Sequence, residues 1–362
     1  MVGKAPAEHP RVVIADDSAV VRHVVRDLLE AAGIEVAGEA KDGREAVDLA
    51  RRLLPDLMIL DIMMPHVSGV EAVTHIMDEA PTRVLILSNL ARNDEVGLCL
   101  DALRAGALDV MAKPIALSAS VPKEFEKDLV GRVRLLCGMR VPQMARARNR
   151  TPIEAVPAVV PFQPLETLLP IKCVAVGAST GGPRVLGQLL RELPKDLPSG
   201  LLIVQHIASG FAQGLAHWLD ATSALRVKLA EPGDRVEPGR ALLAPTGRHL
   251  VLRHGVIALV DDPPVHGCRP SADVLFRSVA YTFRSGALGV VLSGMGHDGA
   301  EGARLMKQRG AEILVQSEES CAIYGMPKAT VELGVADKQV HPDQMAKEIV
   351  RRIQLRRGGP LV

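Results

Sequence analysis

Twice along this chain, short apolar runs alternate with amphipathic stretches, and that alternation admits few folds. In the first half the runs are Val12-Val13-Ile14-Ala15, Val36-Ala37-Gly38-Glu39-Ala40, Leu57-Met58-Ile59-Leu60, Val84-Leu85-Ile86-Leu87 and Val110-Met111-Ala112, with helical candidates such as Ala19–Ala32 and Arg44–Leu53 between them. Strands alternating with helices predict a parallel sheet covered on both faces. A second alternating block begins at Cys173 and takes in Leu201–Val204, Leu288–Leu292 and Ile313–Val315. Within it, the Pro- and Gly-punctuated runs between Arg226 and Val260 predict inserted hairpins, and a helix over Met345–Gln354 closes the block. Between the blocks, a helix through Leu136 gives way to Arg140, Arg146, Arg148 and Arg150 and then to a Pro- and Val-containing stretch ending near Leu168. This composition predicts a linker whose arginines form a solvated face.

Composition narrows the function classes. A chain of 362 residues corresponds to roughly two to three domains, and 48% hydrophobic residues suffice for each to bury its own core. A formal charge of +1 with 2% aromatics argues against a nucleic-acid platform, which needs a basic stripe and stacking rings. The cysteines at 99, 137, 173, 268 and 321 have no C-x-x-C spacing, so neither a zinc knuckle nor a disulfide framework is expected, and a reducing cytoplasm fits. The N-terminus lacks the apolar core of a signal peptide, and no segment is long and apolar enough to span a bilayer. The expectation is a cytoplasmic protein without direct membrane insertion.

In a parallel α/β sheet, chemistry gathers at the C-terminal ends of strands. Asp16-Asp17 follows the first run, Asp61 the third, Ser88 the fourth and Lys113-Pro114 the fifth. Three carboxylates in one crevice repel one another unless a cation sits among them, so Mg2+ is implied, with Asp61 as a nucleophile for phosphoryl transfer and Lys113 opposite. Taken singly, each of these residues could be a solvated loop carboxylate or a helix cap. Together they resemble the receiver domain of two-component response regulators over residues 9–128, through Asp16-Asp17, Leu60-Asp61-Ile62-Met63-Met64-Pro65 with Gly69, Ser88 and Lys113-Pro114. The resemblance implies a flavodoxin-like fold with a five-stranded parallel sheet and phosphorylation at Asp61 by a histidine kinase. It also implies metal ligation by Asp17, Asp61 and the Met63 carbonyl with Asp16 assisting, support of the phosphorylation site by Ser88 and Lys113, and a cis bond before Pro114. Val110 departs from the aromatic residue that receivers usually carry three positions before the lysine.

The second block opens with Cys173-Val174-Ala175-Val176-Gly177-Ala178-Ser179-Thr180-Gly181-Gly182-Pro183, an apolar strand running into a glycine-flanked serine. Such a turn presents a hydroxyl at the strand end beside backbone N–H groups, the geometry acyl transfer needs. The alternative is that Ser179 or Thr180 merely caps the following helix. A serine needs a base and the base an orienting acceptor; His206 ends the run Leu201–Val204, and Asp298 lies past Leu288–Leu292 in Ser293-Gly294-Met295-Gly296-His297-Asp298-Gly299. The competing roles are a core histidine and a helix cap. The chain order Ser179, His206, Asp298 differs from the Ser, Asp, His order of ordinary α/β-hydrolases.

That order, with Gly177–Gly182, Gln205-His206, Arg269-Pro270-Ser271-Ala272-Asp273-Val274-Leu275-Phe276 and Gly294–Gly299, resembles the chemotaxis methylesterase family. What this implies is a catalytic domain over 169–357, doubly wound and mainly parallel, joined to the receiver by a linker over 129–168. It also implies hydrolysis of glutamate methyl esters, and deamidation of particular glutamines, on methyl-accepting chemoreceptors. The reaction needs no cofactor; backbone donors near Met295 hold the oxyanion, and Thr180 supports the triad. Cys268 departs from the histidine the family commonly places before the Arg-Pro-Ser phrase. Two other readings stay open: the same chemistry on a receptor outside motility, and a docking module with an inert C-terminal domain. The simplest coupling has the unphosphorylated receiver lying over the cleft near Ser179 until about −1.5 to −2 charges arrive at Asp61.

Overall fold

The computed structural model describes residues 10–89, 93–114, 121–138 and 169–357. The first unit runs β1 (Arg11–Ala15), α1 (Ala19–Ala31), β2 (Glu35–Ala40), α2 (Gly43–Leu53), β3 (Leu57–Leu60), α3 (Gly69–Glu79), β4 (Val84–Ser88), α4 (Asn93–Ala105), β5 (Asp109–Ala112) and α5 (Lys123–Cys137). Its strands pair in parallel in the order β2-β1-β3-β4-β5. Helix starts follow local chemistry: the Ser18 and Asp42 side chains cap α1 and α2, and Ser68 with Glu71 forms a reciprocal capping box on α3. The strands Leu57–Leu60 and Val84–Ser88 are buried throughout, as a sheet covered on both faces requires.

The second unit runs β6 (Cys173–Ala178), α6 (Gly182–Glu192), β7 (Gly200–Gln205), α7 (Phe211–Thr222), β8 (Arg226–Leu229), β9 (Arg240–Leu243), β10 (His249–Arg253), β11 (Val256–Val260), α8 (Ala272–Phe283), β12 (Ala287–Val291), α9 (Ala300–Gln308), β13 (Glu312–Gln316), α10 (Met326–Glu332), β14 (Lys338–Val340) and α11 (Pro342–Leu355). Seven strands make one parallel sheet in the order β14-β13-β12-β6-β7-β9-β8. From β6 the chain winds outward through β7 to β9 and β8; from β12 it winds the other way through β13 to β14. The crevice between β6 and β12 is therefore the topological switch point, where open α/β sheets place their chemistry.

Two expectations change. Of the segment expected as hairpins, only β10–β11 is one; β8 and β9 run parallel to each other and extend the main sheet. The cis peptide bond among the described residues is Arg269–Pro270, not Lys113–Pro114. The last receiver helix, α5, continues past residue 128 to Cys137, and what was read as the arginine-bearing part of the linker lies outside the described residues.

The two units touch. Helix α4 packs on α7, where Gly214 leaves room for Val96: a Cβ at 214 would stand 2.2 Å from Val96 Cγ1. Buried apolar residues on both sides, Val96, Leu100 and Leu103 with Phe211 and Leu215, share one continuous cluster.

Phe276 on α8 is fully buried at the centre of the other core layer, between the sheet and α9. Phe276→Ala is expected to cost the second unit about 3–5 kcal/mol through lost burial and a residual cavity. The shift of that unit's urea unfolding midpoint measures it, and an unshifted midpoint contradicts the packing described.

Candidate active site

Strand register brings the expected nucleophile and base together. β6 and β7 pair with Ala178 opposite Gln205, so Ser179 and His206 are the next residues on neighbouring strands. The His206 N–H donates to the Ala178 carbonyl at 2.9 Å, and the Gln205 side chain donates to both the Ser179 and His206 carbonyls, at 2.7 and 2.9 Å. On the other side, the Ser179 N–H donates to the Ser293 carbonyl at 3.0 Å. The following Gly294 is indispensable in this arrangement: a Cβ there would lie 2.7 Å from Ser179 Cβ and 2.3 Å from Met326 Sδ. Ser179 is not a helix cap, because the residue capping α6 is Gly181, at φ +78°. Its hydroxyl makes no hydrogen bond to His206 among the described residues, a separation common before substrate tightens such a site.

Asp298 is not a helix cap either; Gly299 occupies that position on α9. Its carboxylate, 2% exposed, accepts from His206 Nε2 at 2.8 Å, from the Ser271 hydroxyl at 2.6 Å, and from the Ala272 and Asp273 N–H groups at 2.7 and 3.1 Å. These amides belong to the N-terminus of α8, whose dipole also favours a negative charge. Burial alone would raise the Asp298 pKa, but the His206 hydrogen bond, followed by Ser271 and the amides, holds it below the ordinary carboxylate value. For His206, burial pulls the pKa down and is outweighed by the Asp298 hydrogen bond, with Cys268 adding to the rise, so the imidazole is pushed up to about 9.

The remaining expected residues are more scattered. Met295, in the loop between β12 and α9, is 56% exposed. The Thr180 hydroxyl turns away to the first unit, donating to Asp109 Oδ2 at 3.1 Å, while the Gly181 N–H donates to the Leu108 carbonyl at 3.2 Å. Asp109 is itself held by Arg132 of α5 at 2.6 Å. The turn carrying Ser179 is thus seated against the start of β5 in the first unit. Cys268 Sγ stands 3.8 Å from the other imidazole nitrogen, Nδ1. Ser271, Gln205 and Ser293 were not singled out as site residues. Ser271 was legible as a helix cap, a serine opening the amphipathic run from Ala272; its role as a donor to Asp298 depends on a contact 27 residues away.

In the first unit, Asp16, Asp17 and Asp61 place carboxylate oxygens within 4.8 Å of one another, and Lys113 Nζ lies 2.6 Å from Asp16 and 2.9 Å from Asp61. Burial is the main reason the Asp61 pKa is lifted to about 6; Lys113 opposes the rise and Asp16 adds to it. Three converging carboxylates facing one ammonium leave a net negative pocket, and an all-oxygen set of this kind fits Mg2+. Ser88, fully buried, ends β4, and its carbonyl accepts from the Lys113 N–H at 2.9 Å. Met63 is half exposed beside the pocket. Val110 is buried in β5, paired with Ile86, and supplies no aromatic ring that could rotate.

Residues 174–349 match the CheB methylesterase family, and residues 12–121 match the response regulator receiver domain. A protein-glutamate methylesterase/protein-glutamine glutaminase of Anaeromyxobacter dehalogenans is 41% identical over 94% of this chain and 96% of its own length. The chain belongs to the CheB methylesterase family. A namesake from Archaeoglobus fulgidus is 37% identical over 96% of this chain and 99% of its own. The crystal structure of the Thermotoga maritima CheB methylesterase catalytic domain aligns at 36% identity and a TM-score of 0.48, covering 50% of this chain and 97% of that one. The CheB methylesterase domain here is thus attached to a receiver, which brings it under phosphorylation control.

NMR titration of His206 in the full-length protein is expected to give a pKa near 9, because the carboxylate stabilises the protonated ring more than burial penalises it. Asp298→Asn is expected to lower that value, leaving burial to act without its opposing partner. An unchanged value in the variant would assign the shift to another group.

Proposed function

We propose that this chain removes methyl esters from glutamate side chains, and deamidates selected glutamines, on chemoreceptor helices, using Ser179, His206 and Asp298. The observation that carries the reading is the 2.8 Å bond from His206 Nε2 to a buried Asp298, at a strand end adjoining that of Ser179. With Nε2 committed to Asp298, Nδ1 is the nitrogen that accepts the Ser179 proton. Ser179 Oγ then bonds to the side-chain acyl carbon, and the carbonyl oxygen takes the developing charge against backbone donors near Met295. Collapse expels methanol or ammonia, which takes its proton from His206; water, deprotonated by the same nitrogen, releases glutamate. The ester and the primary amide share this course because they present the same acyl carbon and differ only in the leaving group. The exposed Met295, in the loop that carries Asp298, suits contact with an apolar helical substrate surface.

Asp61 is the proposed phosphoacceptor, with Asp16, Asp17, Asp61 and the Met63 carbonyl holding Mg2+, which when bound neutralises phosphoryl oxygens. Lys113 supplies the second positive charge, and Ser88 lies at the neighbouring strand end. A histidine kinase is the proposed phosphodonor. The contacts of Thr180 and Gly181 with β5 support restraint of the nucleophile turn by the unphosphorylated receiver. The proposed boundaries are a receiver over 9–128 whose last helix extends beyond that limit, a linker over 129–168, and a catalytic domain over 169–357.

Methanol release from methylated receptor is expected to vanish in Ser179→Ala and to fall about ten-thousand-fold in kcat in Asp298→Asn, the loss typical of a triad deprived of its carboxylate. In the wild type the rate is expected to climb with pH toward about 9, because only neutral His206 can take a proton. Full activity in Ser179→Ala would move the nucleophile to another residue, whereas no methanol release from the wild type would point to a docking role for the domain.

A small phosphodonor with Mg2+ is expected to raise the wild-type rate but not that of Asp61→Asn. Gly214→Leu, which drives a side chain into Val96 and parts α7 from α4, is expected to raise the rate without phosphodonor. An unchanged or lower rate in folded Gly214→Leu contradicts restraint through this interface.

A further inference from the structure

The two nitrogens of His206 have unlike surroundings. Nε2 is fixed on Asp298 at 2.8 Å, while Nδ1 faces the thiol of Cys268 at 3.8 Å. Asp298 holds a proton on Nε2, so Nδ1 is the nitrogen whose lone pair a metal can take on displacing any proton there. The donor atoms of His206, Cys268 and Asp298 gather within 4.8 Å of one another. A tetrahedral zinc ion with Zn–S of about 2.3 Å and Zn–N of about 2.0–2.1 Å sets sulfur and nitrogen about 3.5 Å apart. The observed separation comes within a few tenths of an ångström of that spacing.

Asp298 lies on the far nitrogen, so it is not a ligand in this arrangement. It stands where metal sites place the carboxylate that orients a bound imidazole and increases its basicity. Cys268 is a free, half-buried thiol, carried on a tight turn in which Val265 and Cys268 exchange backbone hydrogen bonds at 2.8 and 3.1 Å. Thiolate and imidazole together select zinc-like cations over Mg2+, the reverse of the carboxylate pocket in the receiver.

We propose that Cys268 Sγ and His206 Nδ1 form an inhibitory site for a thiophilic divalent cation of the zinc class. Binding replaces the S–H bond with an S–Zn bond and, where the ring is protonated, the Nδ1–H bond with an N–Zn bond; the displaced protons pass to solvent and no oxidation is involved. It fills the lone pair that Ser179 needs, so metal and catalysis exclude each other. The inhibitory half rests on the triad reading; the binding half does not.

The test uses full-length protein, stripped by chelator and kept in excess Mg2+ to fill the receiver carboxylates. Titration with Co2+ is expected to produce a thiolate-to-cobalt charge-transfer band that Zn2+ abolishes, that is lost in Cys268→Ser and that persists in Cys321→Ser. Asp298→Asn is expected to weaken zinc binding by about 10- to 100-fold, as loss of an outer-shell carboxylate does. In the methanol assay, Zn2+ is expected to inhibit the wild type reversibly, and Cys268→Ser, which removes a ligand, to lose that sensitivity. A cobalt band that survives in Cys268→Ser overturns the site, and equal zinc sensitivity in that variant, or acceleration by zinc, overturns the inhibition. A band that follows Cys268 in a protein whose metal-free form releases no methanol would sink the triad reading and leave the metal site standing.

Discussion

One buried carboxylate organises the second unit. Asp298 is removed from water, a placement that ordinarily drives a carboxyl toward its neutral form, and it remains ionised because four donors converge on it. Those donors come from distant parts of the chain: the Ser271 hydroxyl and two amides from the start of α8, and the imidazole from the end of β7. The same contacts that keep Asp298 charged therefore join the loop after β12 to α8 and to β7. Stability and site geometry coincide here, since an alanine at 298 would leave the α8 amides, the Ser271 hydroxyl and His206 without their acceptor.

The switch point explains why these residues meet although they are far apart in sequence. β6 sits between β7 and β12, so the segments leaving its two neighbours flank the turn that leaves β6 itself. Ser179 is held from one side by Gln205 and from the other by Ser293. The absence of a side chain at Gly294 lets the β12 segment press directly on the nucleophile turn. The glycines of these motifs thus mark close backbone approach as much as sharp bends.

Much of this was legible in the residues, and what was not shares a cause. Apolar runs flanked by amphipathic stretches identify buried parallel strands, and polar residues just past such runs fall at one sheet margin; Ser179, His206 and Asp61 are all of this kind. The segment from Arg226 to Val260 misled because Pro232-Gly233 and Pro238-Gly239 look like hairpin turns, yet the chain loops back to enter β9 parallel to β8. Local turn chemistry shows that the chain reverses but not which edge it rejoins. Ser271 reads as an ordinary helix cap, and it does accept from the Val274 N–H, but its hydroxyl proton goes to Asp298, a partner no local pattern discloses. Thr180, expected in support of the triad, donates its hydroxyl to Asp109 of the first unit, a partner 71 residues away that no local pattern discloses.

That contact bears on how a charge at Asp61, the proposed phosphoacceptor, can reach Ser179. β5 carries Lys113 just beyond its C-terminal end, against Asp61, and Asp109 at its beginning, against Thr180. A strand of this length spans about 13 Å at about 3.3 Å per residue, too far for a phosphoryl group to act on Thr180 by direct contact. Screening further weakens any through-solvent effect over such a distance. The strand, however, is hydrogen-bonded along its length to β4, and its N-terminal end is tied to α5 through Arg132 on Asp109 and to the Ser179 turn through the adjoining Leu108. With no aromatic ring at Val110 to rotate, a pull on Lys113 has no independent side-chain switch in β5 through which to travel. The proposed coupling then runs through β5 as a body with the α4 that packs on it, and because α4 also packs on α7 the same route meets both contacts between the two units.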